Sequence, residues 1–350
     1  MKIIIYAQTS TLLDGIHIGN LESKSLGGAD RNLIQLMDRL SVYAQVKVYG
    51  AYRTIEKINN NLECLPFMDV YLKNHECDLL IIYRKLSELP RTIEAKKTIF
   101  YSEDMPDSPC FNEIEKDPRY FDNFDLIISL SKFHKKALMD SFDIPEDRIR
   151  IIGNYVEVRP YYKAKIPQRF IYGSTPFRGL DVLCRMWKDI KERIPNATLE
   201  VYSSMKIYGA DEIIDKQFEP MYNSLNRMEG VAYKGSVDHS TYLDALDKAH
   251  VLLYPNVFDE TYCNVLMEAR ASETIFVTSN TGALPETGGK AGIYIEGNAR
   301  TKEYQDAFID ALEFIMSSKI QYNYMLHNCY PVRGEHDFSS DIHELMRELE

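Results

Sequence analysis

The sequence predicts an α/β protein made of two doubly wound domains, each built on a parallel sheet. The chain has 350 residues, which is the length of two ordinary domains. In both halves, short apolar runs rich in strand-forming residues alternate with amphipathic stretches of helical periodicity. A polar segment with two prolines, residues 158–168, predicts an interdomain linker. We therefore expect one domain over residues 1–157 and a second over residues 158–335.

The composition is that of a globular protein, and it limits the partners. Hydrophobic residues make up 45% and charged residues 27% of the chain, and the net charge is −11. This acidic balance argues against nucleic acid as the main partner and against a polybasic membrane patch. No apolar run is long enough for a transmembrane segment, and the first one is too short for a signal peptide. The six cysteines lack CxxC or metal-type spacing, which predicts reduced thiols and a cytoplasmic protein.

Strands and helices are predicted to alternate along the first half. Residues 28–40 form an amphipathic helix, because Leu33, Leu36 and Leu40 recur at helical spacing. A second helix covers residues 131–142, with Ser131 as its N-cap. This order favours a doubly wound domain with function at the carboxyl ends of its strands. The predicted strands are residues 2–7, 46–49, 79–83, 98–101, 125–130 and 149–152.

The second half continues the same alternation. Its predicted strands are residues 169–173, 197–203, 230–235, 251–254 and 274–278. Its predicted helices are residues 181–193, a helix that starts near residue 236, and residues 261–271, 301–318 and 337–350.

Two carboxylates bracket the predicted helix 261–271, which lies between two apolar strands. Glu260 precedes the helix, for which Thr261 is a plausible N-cap, and Glu268 lies two turns further along. Eight residues at ~100° each bring the two glutamates to within roughly 80° of each other around the helix axis. Both side chains can therefore face one cleft.

The start of this helix suits a phosphate, and Glu268 suits a sugar diol. The backbone N–H groups of Thr261, Tyr262, Cys263 and Asn264 have no partner within a helix, and such groups attract anions. An ionised carboxylate only accepts hydrogen bonds, and a ribose offers two hydroxyl donors. The pattern suggests a nucleotide diphosphate. A capped surface helix with two solvated glutamates fits the same pattern, so the residues alone leave both interpretations open.

Three other loops at strand ends carry candidate ligand-binding residues. Gly28, the second of two adjacent glycines before a helix, lets a backbone approach a ligand, although a flexible turn also explains it. Glu103 and Asp104 follow the strand 98–101, where adjacent acids are often merely solvated. Arg178 lies at a strand-to-helix turn, where it can bind phosphate oxygens or form a surface ion pair.

The spacing Glu260-x7-Glu268, after YPNVFDE and before TGALPET, resembles the signature of retaining glycosyltransferases of family four. The resemblance implies the GT-B fold, in which two Rossmann-like domains face a central cleft and a C-terminal helix crosses back to the first domain. It also implies that Glu268 binds the donor ribose and that Glu260 lies beside the transferred sugar. The amides of Tyr262, Cys263 and Asn264 would hold sugar hydroxyls and the distal phosphate. The family often has Gly-x-Gly directly after the first glutamate, and this chain departs from it there.

The first half carries two weaker resemblances to the same family. Gly27, Gly28 and Asp30 resemble its Gly-Gly-x-Glu loop, which touches the donor phosphates and the acceptor. Asp104 matches the aspartate of a His-Asp pair whose histidine contacts the transferred sugar, and Glu103 replaces that histidine. Glu103 could accept a sugar hydroxyl, or it could indicate an altered donor.

The second half resembles the family in the loop after its first strand. Gly173 and Gly179 match, whereas Ser174 and Arg178 replace the usual arginine and lysine. We expect Ser174 and Arg178 to meet the diphosphate. Val237 ends a stretch where the family makes backbone contacts with the base.

The predicted function is a retaining glycosyl transfer from a UDP- or GDP-linked sugar to a hydroxyl of a glycan or glycoconjugate. Residues 1–157 with the helix 337–350 would form the acceptor side, and residues 158–335 the donor domain. No Asp-x-Asp motif is present, so neither a metal nor another cofactor is expected. Two alternatives remain open. One is a GT-B enzyme of other chemistry, such as a nucleotide-sugar epimerase or a phosphorylase, and the other is a non-catalytic nucleotide-sugar-binding protein.

Overall fold

The chain divides into two compact units. The computed structural model describes residues 1–8, 11–86, 89–112, 118–158, 163–208, 212–329 and 338–349. The first unit consists of Met1–Leu21, Leu26–Tyr155 and Asp337–Glu350, and the second of Glu22–Ser25 and Val156–His336. The predicted linker includes residues 159–162, and the predicted last helix includes residues 337 and 350, all of which lie outside the described residues.

The first unit is built on a mostly parallel sheet. Its strands in the described residues are β1 (Lys2–Ala7), β2 (Gln45–Gly50), β3 (Glu56–Lys57), β4 (Leu62–Pro66), β5 (His75–Tyr83), β6 (Ile93–Tyr101), β7 (Leu126–Ser129) and β8 (Ile149–Ile151). Their order across the sheet is β3-β4-β2-β1-β5-β6-β7-β8. Strand β3 pairs antiparallel with β4, and the other neighbours pair in parallel.

The second unit is built on a sheet in which all neighbouring strands are parallel. Its strands in the described residues are β9 (Arg169–Gly173), β10 (Thr198–Tyr202), β11 (Val231–Tyr233), β12 (Val251–Tyr254), β13 (Ile275–Ser279) and β14 (Gly292–Ile295). Their order is β11-β10-β9-β12-β13-β14. The predicted α/β class with two parallel-sheet domains is therefore confirmed.

Helices connect the strands in both units. Those in the described residues are α1 (Gly28–Ser41), α2 (Lys132–Phe142), α3 (Leu180–Arg193), α4 (Glu212–Lys216), α5 (Glu219–Leu225), α6 (His239–Leu246), α7 (Asn264–Ala271), α8 (Leu284–Gly288), α9 (Lys302–Ser317), α10 (Lys319–His327) and α11 (Phe338–Leu349). Short 3-10 helices cover Ile18–Ser23, Phe67–Tyr71, Pro109–Phe111, Pro118–Asn123, Glu146–Arg148, Pro176–Arg178 and Met205–Tyr208. The predicted N-cap of α2 is confirmed, because the Ser131 hydroxyl accepts the backbone N–H of His134 at 3.0 Å.

The C-terminal helix α11 belongs to the first unit, as the resemblance implies. Its apolar face buries Ile342, Leu345 and Met346. On its polar face, Glu344 accepts a bond of 2.8 Å from the Arg150 guanidinium, which also pairs with Glu348. One buried stripe and one ion-pair network therefore hold the end of the chain on this unit.

Parallel pairing brings all the carboxyl ends of a sheet to one edge. In the first unit, β1 pairs with β2 on one side and β5 on the other. In the second unit, β9 pairs with β10 on one side and β12 on the other. The strand order reverses direction at these two points, and loops there diverge to leave a crevice for ligands. Gly28, Ser174, Arg178 and Glu260 follow strands at these two points, whereas Glu103 and Asp104 follow β6.

The prediction that a helix starts at Thr261 is wrong. Helix α7 begins at Asn264, and Cys263 is its N-cap, with a left-handed φ of 78° and no side-chain capping bond. Residues 261–263 instead form a bend that buries Tyr262 and Cys263. The sequence also did not predict three short strands, β3, β4 and β14. They have five or fewer residues each, too few for a clear alternating pattern.

Candidate functional site

Two loops of the second unit come together at its switch point. One follows β9 and contains Ser174 and Arg178, and the other follows β12 and ends at Glu260. Gly179 has a φ of 102°, and a Cβ atom there would lie 2.0 Å from the carbonyl oxygen of Pro255. Only glycine allows this approach of the two loops, so the Gly179 match to the family pattern has a physical cause.

An ion pair joins these loops. Nη1 of Arg178 donates to Oε1 of Glu260 over 2.7 Å, and the hydroxyl of Tyr254 donates to the same oxygen over 2.7 Å. The Glu260 side chain is 7% exposed and the Arg178 side chain 21%. A buried carboxylate needs such partners, because burial of an unpaired charge is costly. Ser174 belongs to the same cluster, since its hydroxyl lies 3.5 Å from that of Tyr254.

Aromatic rings and a glycine fix this pair in place. The Arg178 guanidinium lies 5.5 Å from the ring centre of Phe177 and 4.8 Å from that of Phe258. A Cβ atom on Gly282, whose φ is 56°, would meet the backbone N of Glu260 at 2.6 Å. Ala283 donates its N–H to the carbonyl of Glu260 at 2.8 Å. The loop after β13 thus packs directly against Glu260.

The turn between Glu260 and helix α7 carries the predicted phosphate-binding amides. Tyr262 and Cys263 bury their side chains in it, while Thr261 and Asn264 are half-buried. Burial raises the pKa of the Cys263 thiol well above its usual range. The positive φ of Cys263 falls where the family often has glycine. An L-residue in this conformation is strained, and such strain often marks functional sites.

Glu268, the predicted ribose ligand, is bound by a histidine that the sequence analysis did not single out. Oε1 of Glu268 lies 2.7 Å from Nε2 of His239, the first residue of α6. Nδ1 of His239 lies 2.5 Å from Oε2 of Glu22. Glu22 belongs to the segment Glu22–Ser25 of the second unit. Val237, the predicted base contact, lies two residues before His239 and is half-buried against the core of this unit.

Glu103 is buried in the first unit, at the carboxyl end of β6. Its Oε1 lies 2.6 Å from the hydroxyl of Tyr83 and 2.5 Å from Nδ2 of Asn32. Burial raises the pKa of Glu103 to about 7, and the bonds from Tyr83 and Asn32 oppose this shift. The Tyr83 hydroxyl also lies 2.7 Å from the carbonyl of Ala29, and one O–H serves one acceptor fully. The Tyr83 hydroxyl therefore shares its one proton between the Glu103 carboxyl and the Ala29 carbonyl.

Asp104 is held by an arginine and a buried histidine. Arg84 donates from Nε to Oδ2 of Asp104 over 2.8 Å and from Nη2 to Oδ1 over 3.2 Å. Nδ1 of His134 accepts the N–H of Leu130, so Nε2 carries the proton and donates to the Asp104 carbonyl at 3.0 Å. Burial lowers the pKa of His134 to about 4, which keeps this ring neutral. Its contacts are those of a structural histidine.

The predicted glycine loop opens helix α1. Gly28 is the first residue of that helix, after the N-cap Gly27. Asp30, in the first turn, is buried, and burial raises the pKa of its carboxyl. The Ala29 carbonyl accepts from Tyr83, which also contacts Glu103. The structure therefore brings the glycine loop and Glu103 together within the first unit.

Sequence reasoning missed the partners that orient the candidate residues. These are Tyr254, Phe258 and His239 in the second unit and Tyr83 and Arg84 in the first. Tyr254 and Arg84 lie at or next to strand ends, and that position was a signal that could have identified them. No local signal marks His239, because Glu268 is 29 residues away in sequence.

The described residues contain neither a metal-type cluster of side chains nor a membrane-spanning helix. In the described ranges, no three His, Cys, Asp or Glu side chains are grouped so that they could hold a metal ion. Among the helices described, none is long and apolar enough to cross a membrane.

The second unit is similar in sequence to known glycosyltransferases. Residues 169–314 match the family model described as glycosyl transferases group 1. An uncharacterized glycosyltransferase of Methanocaldococcus jannaschii is 27% identical over 178 residues, which are 46% of this chain and 43% of that protein. The chain thus matches less than half the length of this curated relative. The family model and the relative support a glycosyltransferase.

Solved glycosyltransferase structures share the fold. Sucrose-phosphate synthase from Thermosynechococcus elongatus aligns with a TM-score of 0.74 at 14% identity, over 100% of this chain and 99% of its own. WaaG, a glycosyltransferase of lipopolysaccharide biosynthesis, aligns with a TM-score of 0.67 at 12% identity, over 99% of both chains. The pneumococcal O-GlcNAc transferase GtfA, solved with UDP and GlcNAc, aligns at 0.60 and 14% identity, over 81% of this chain and 59% of its own. The predicted GT-B fold is confirmed.

Proposed function

We propose that this protein is a retaining glycosyltransferase of family four. It would transfer a sugar from a UDP- or GDP-linked donor to a hydroxyl of a glycan or glycoconjugate. The observation that carries the proposal is the ion pair between half-buried Arg178 and buried Glu260, which lies at the switch point of the second unit beside the start of α7. This pair and Glu268 lie inside the segment that matches the glycosyltransferase family model.

The predicted domain over residues 158–335, which makes up most of the second unit, would bind the donor. Glu268 takes the two ribose hydroxyls, since an ionised carboxylate accepts from both. Arg178 and Ser174 meet the diphosphate, together with the amides of Tyr262, Cys263 and Asn264, and the backbone near Val237 contacts the base. UDP in the GtfA structure supports testing a uridine donor first.

In the proposed reaction, the bond between the anomeric carbon and the leaving phosphate oxygen breaks. The acceptor oxygen bonds to the same face of the anomeric carbon, and the leaving phosphate takes the acceptor proton. Negative charge grows on that phosphate, where Arg178 and the positive end of α7 stabilise it. The products are the glycosylated acceptor and the nucleoside diphosphate. This route needs neither a metal ion nor another cofactor.

A double displacement needs a carboxylate nucleophile close to the anomeric carbon. Glu260 is the candidate by position, but its Oε1 already accepts from both Arg178 and Tyr254. Those bonds weaken a carboxylate as a nucleophile and suit it to hold sugar hydroxyls. The same-face route is therefore the better supported of the two.

The predicted domain over residues 1–157 with the helix 337–350, which contains the first unit, would bind the acceptor. Asp104 and the loop at Gly28 lie at the carboxyl edge of its sheet. Glu103 is 8% exposed and bonded to Tyr83 and Asn32, so its first role is to shape this edge. The six free thiols suit the cytoplasmic location that we also propose.

A non-catalytic nucleotide-sugar-binding protein is the second candidate. Two observations favour it: Glu103 is buried where relatives have a sugar-contacting histidine, and Arg178 is already paired with Glu260. A nucleotide-sugar epimerase on the same fold would process the donor without an acceptor.

The first experiment is a thermal-shift panel of UDP-, GDP-, ADP- and dTDP-sugars. A ligand at a hundred times its Kd adds roughly 2.7 kcal/mol of stability, so one clear responder identifies the donor. Donor consumption with and without candidate acceptors then separates the candidates. Acceptor-dependent release of nucleoside diphosphate supports the transferase. Binding without turnover supports the non-catalytic protein, and an acceptor-independent change of the sugar supports the epimerase.

A further inference from the structure

One imidazole bridges two carboxylates in the second unit. His239 lies 2.7 Å from Glu268 through Nε2 and 2.5 Å from Glu22 through Nδ1. The His239 side chain is 14% exposed, that of Glu268 15% and that of Glu22 35%. The three side chains therefore form a largely buried hydrogen-bond network that runs from Glu22 through His239 to Glu268, the proposed ribose ligand.

The chemistry of the three side chains determines which atoms of this hydrogen-bond network donate and which accept. Ionised carboxylates only accept hydrogen bonds, so an imidazole between two of them must donate from both nitrogens. A doubly protonated ring does so and carries the positive charge that two adjacent carboxylates require. Bonds between charged groups are about twice as strong as neutral ones and are directional. His239 thus holds one oxygen of Glu268 at a defined position.

Local structure fixes His239 in turn. It follows Asp238, the N-cap of α6, whose carboxylate accepts from the N–H of Thr241 at 2.8 Å. The N–H of His239 donates to the carbonyl of Lys24 at 3.3 Å. The hydroxyls of Ser25 and Ser236 lie 2.7 Å apart. The segment Glu22–Ser25, which precedes α1 in sequence, is therefore attached along the start of α6.

We propose that His239 is a positioning residue for the donor ribose and that Glu22 orients His239. The inference rests on the proposed function, because it takes Glu268 as the ribose ligand. Glu268 has two oxygens and about four sites that can accept hydrogen bonds, of which His239 uses one. With that oxygen fixed, the remaining sites face the ribose in one orientation. Recognition of the 2′- and 3′-hydroxyls then depends on a residue that need not touch the nucleotide.

The two amide replacements of His239 give a matched test. In His239→Gln, the side-chain NH₂ can occupy the position of Nε2 and keep the bond to Glu268. In His239→Asn, the NH₂ can occupy the position of Nδ1 and keep the bond to Glu22 instead. The two variants differ by one methylene, and each preserves one side of the bridge.

The measurement is the ratio of dissociation constants for dUDP and UDP, or for dGDP and GDP, by isothermal titration calorimetry on the full chain. A charge-assisted hydrogen bond to a hydroxyl predicts a ratio of about ten or more for the wild-type protein. We expect His239→Asn and His239→Ala to bring this ratio close to one, through weaker binding of the ribonucleotide. His239→Gln should retain most of it. A merely structural effect would weaken both nucleotides equally and leave the ratio unchanged.

A histidine elsewhere in the unit provides the control. His250 bonds the backbone N–H of Gln168 at 3.1 Å and directly precedes β12, at the opposite end of that strand from Tyr254. His250→Gln should leave the ratio unchanged. Equal ratios in the Gln and Asn variants of His239, or a wild-type ratio in His239→Ala, would overturn the inference while the proposed function stands. If the wild-type protein binds none of these nucleotides, the proposed function fails, and the inference with it.

Discussion

Arg178 and Glu260 form an ion pair of 2.7 Å in the second unit, and the arginine lies over the rings of Phe177 and Phe258. The sequence predicts that Arg178 and Glu260 both belong to the site, but it does not predict that their side chains contact each other. The pair fixes a cation beside the turn into helix α7 before any donor arrives. Such preorganisation is what electrostatic stabilisation of a leaving phosphate requires.

Arg178→Ala should lower kcat/KM for glycosyl transfer by about 10²- to 10³-fold, the usual effect of removing one preorganised charge-stabilising group. Arg178→Lys should lose less, because it keeps the charge but not the planar fork. The Ala variant also leaves Glu260 buried without its cation, which costs about 3–5 kcal/mol of stability. Steady-state kinetics and thermal melting measure the two effects. Arg185→Ala is the control, since Arg185 is exposed and pairs with Asp181. Unchanged kinetics in Arg178→Ala would remove this residue from the mechanism.

Glu260→Gln should lower kcat by at least about tenfold and leave the Kd of the free nucleoside diphosphate unchanged. The reason is that Glu260 is proposed to contact the transferred sugar, which this product lacks. Tyr254→Phe removes one donor to Glu260 and should have a smaller effect in the same direction. A large loss of nucleoside diphosphate affinity in Glu260→Gln would contradict this assignment.

Glu268→Ala should weaken binding of the nucleoside diphosphate by about tenfold or more, because hydrogen bonds to a charged group contribute about 1.5–3 kcal/mol each. Titration calorimetry measures the change. The matched control is Glu192→Ala, since Glu192 is an exposed glutamate of α3 paired with Lys188. Equal affinity in the Glu268→Ala and wild-type proteins would exclude Glu268 as the ribose ligand.

Glu103→Gln should stabilise the protein at pH 8 but not at pH 4.5. Because burial raises the folded pKa of Glu103 from 4.5 to about 7, the folded state binds the extra proton between these values. The stability that the Glu103 carboxyl contributes is therefore fully present below pH 4.5 and is lost as pH rises through 7. At about 1.4 kcal/mol per tenfold change in proton affinity, the contribution of Glu103 to the free energy of unfolding falls by about 3 kcal/mol between pH 4.5 and pH 8. His134, whose folded pKa is about 4, has the opposite dependence, but it is present in both proteins and cancels. Parallel melting curves across this range would contradict the buried-acid assignment.

Asp143→Gly should stabilise the first unit by up to about 1 kcal/mol. Asp143 is exposed and ends helix α2 with a φ of 52°, a conformation that glycine adopts without strain. Asp143→Val should destabilise it, because a β-branched residue is strained there. Chemical denaturation followed by circular dichroism measures both. A Val variant as stable as the Gly variant would contradict the left-handed cap.

The sequence predicts best where one local rule dominates. Helix α1 follows from the apolar spacing of Leu33, Leu36 and Leu40, and the Ser131 cap follows from its hydroxyl. The start of α7 could not be predicted, because the fold forces Cys263 into a left-handed turn and buries Tyr262. Tertiary packing of Tyr262 and Cys263 therefore outweighs the capping propensity of Thr261, and the helix begins three residues later, at Asn264.

The candidate site shows the same division. Strand ends identify Glu260, Arg178 and Glu103, since parallel strands bring their carboxyl ends to one edge. Partners remote in sequence, such as His239 for Glu268, follow from the three-dimensional fold alone. The burial that raises the pKa of Glu103 is likewise invisible in a pair of adjacent acids.

The most direct test of the central claim is the anomeric configuration of the first product. The donor that the panel selects, UDP-glucose or GDP-mannose for example, is incubated with enzyme and an acceptor alcohol. Proton NMR reads the anomeric configuration of the glycoside that forms, or of the free sugar before it mutarotates where water is the acceptor. Glu260→Gln at equal concentration is the control for enzyme-dependent release. A product with the same anomeric configuration as the donor, formed by the wild-type protein and reduced in the variant, is the predicted result. An inverted product would contradict the retaining mechanism, and release that is equal in both proteins would contradict the site.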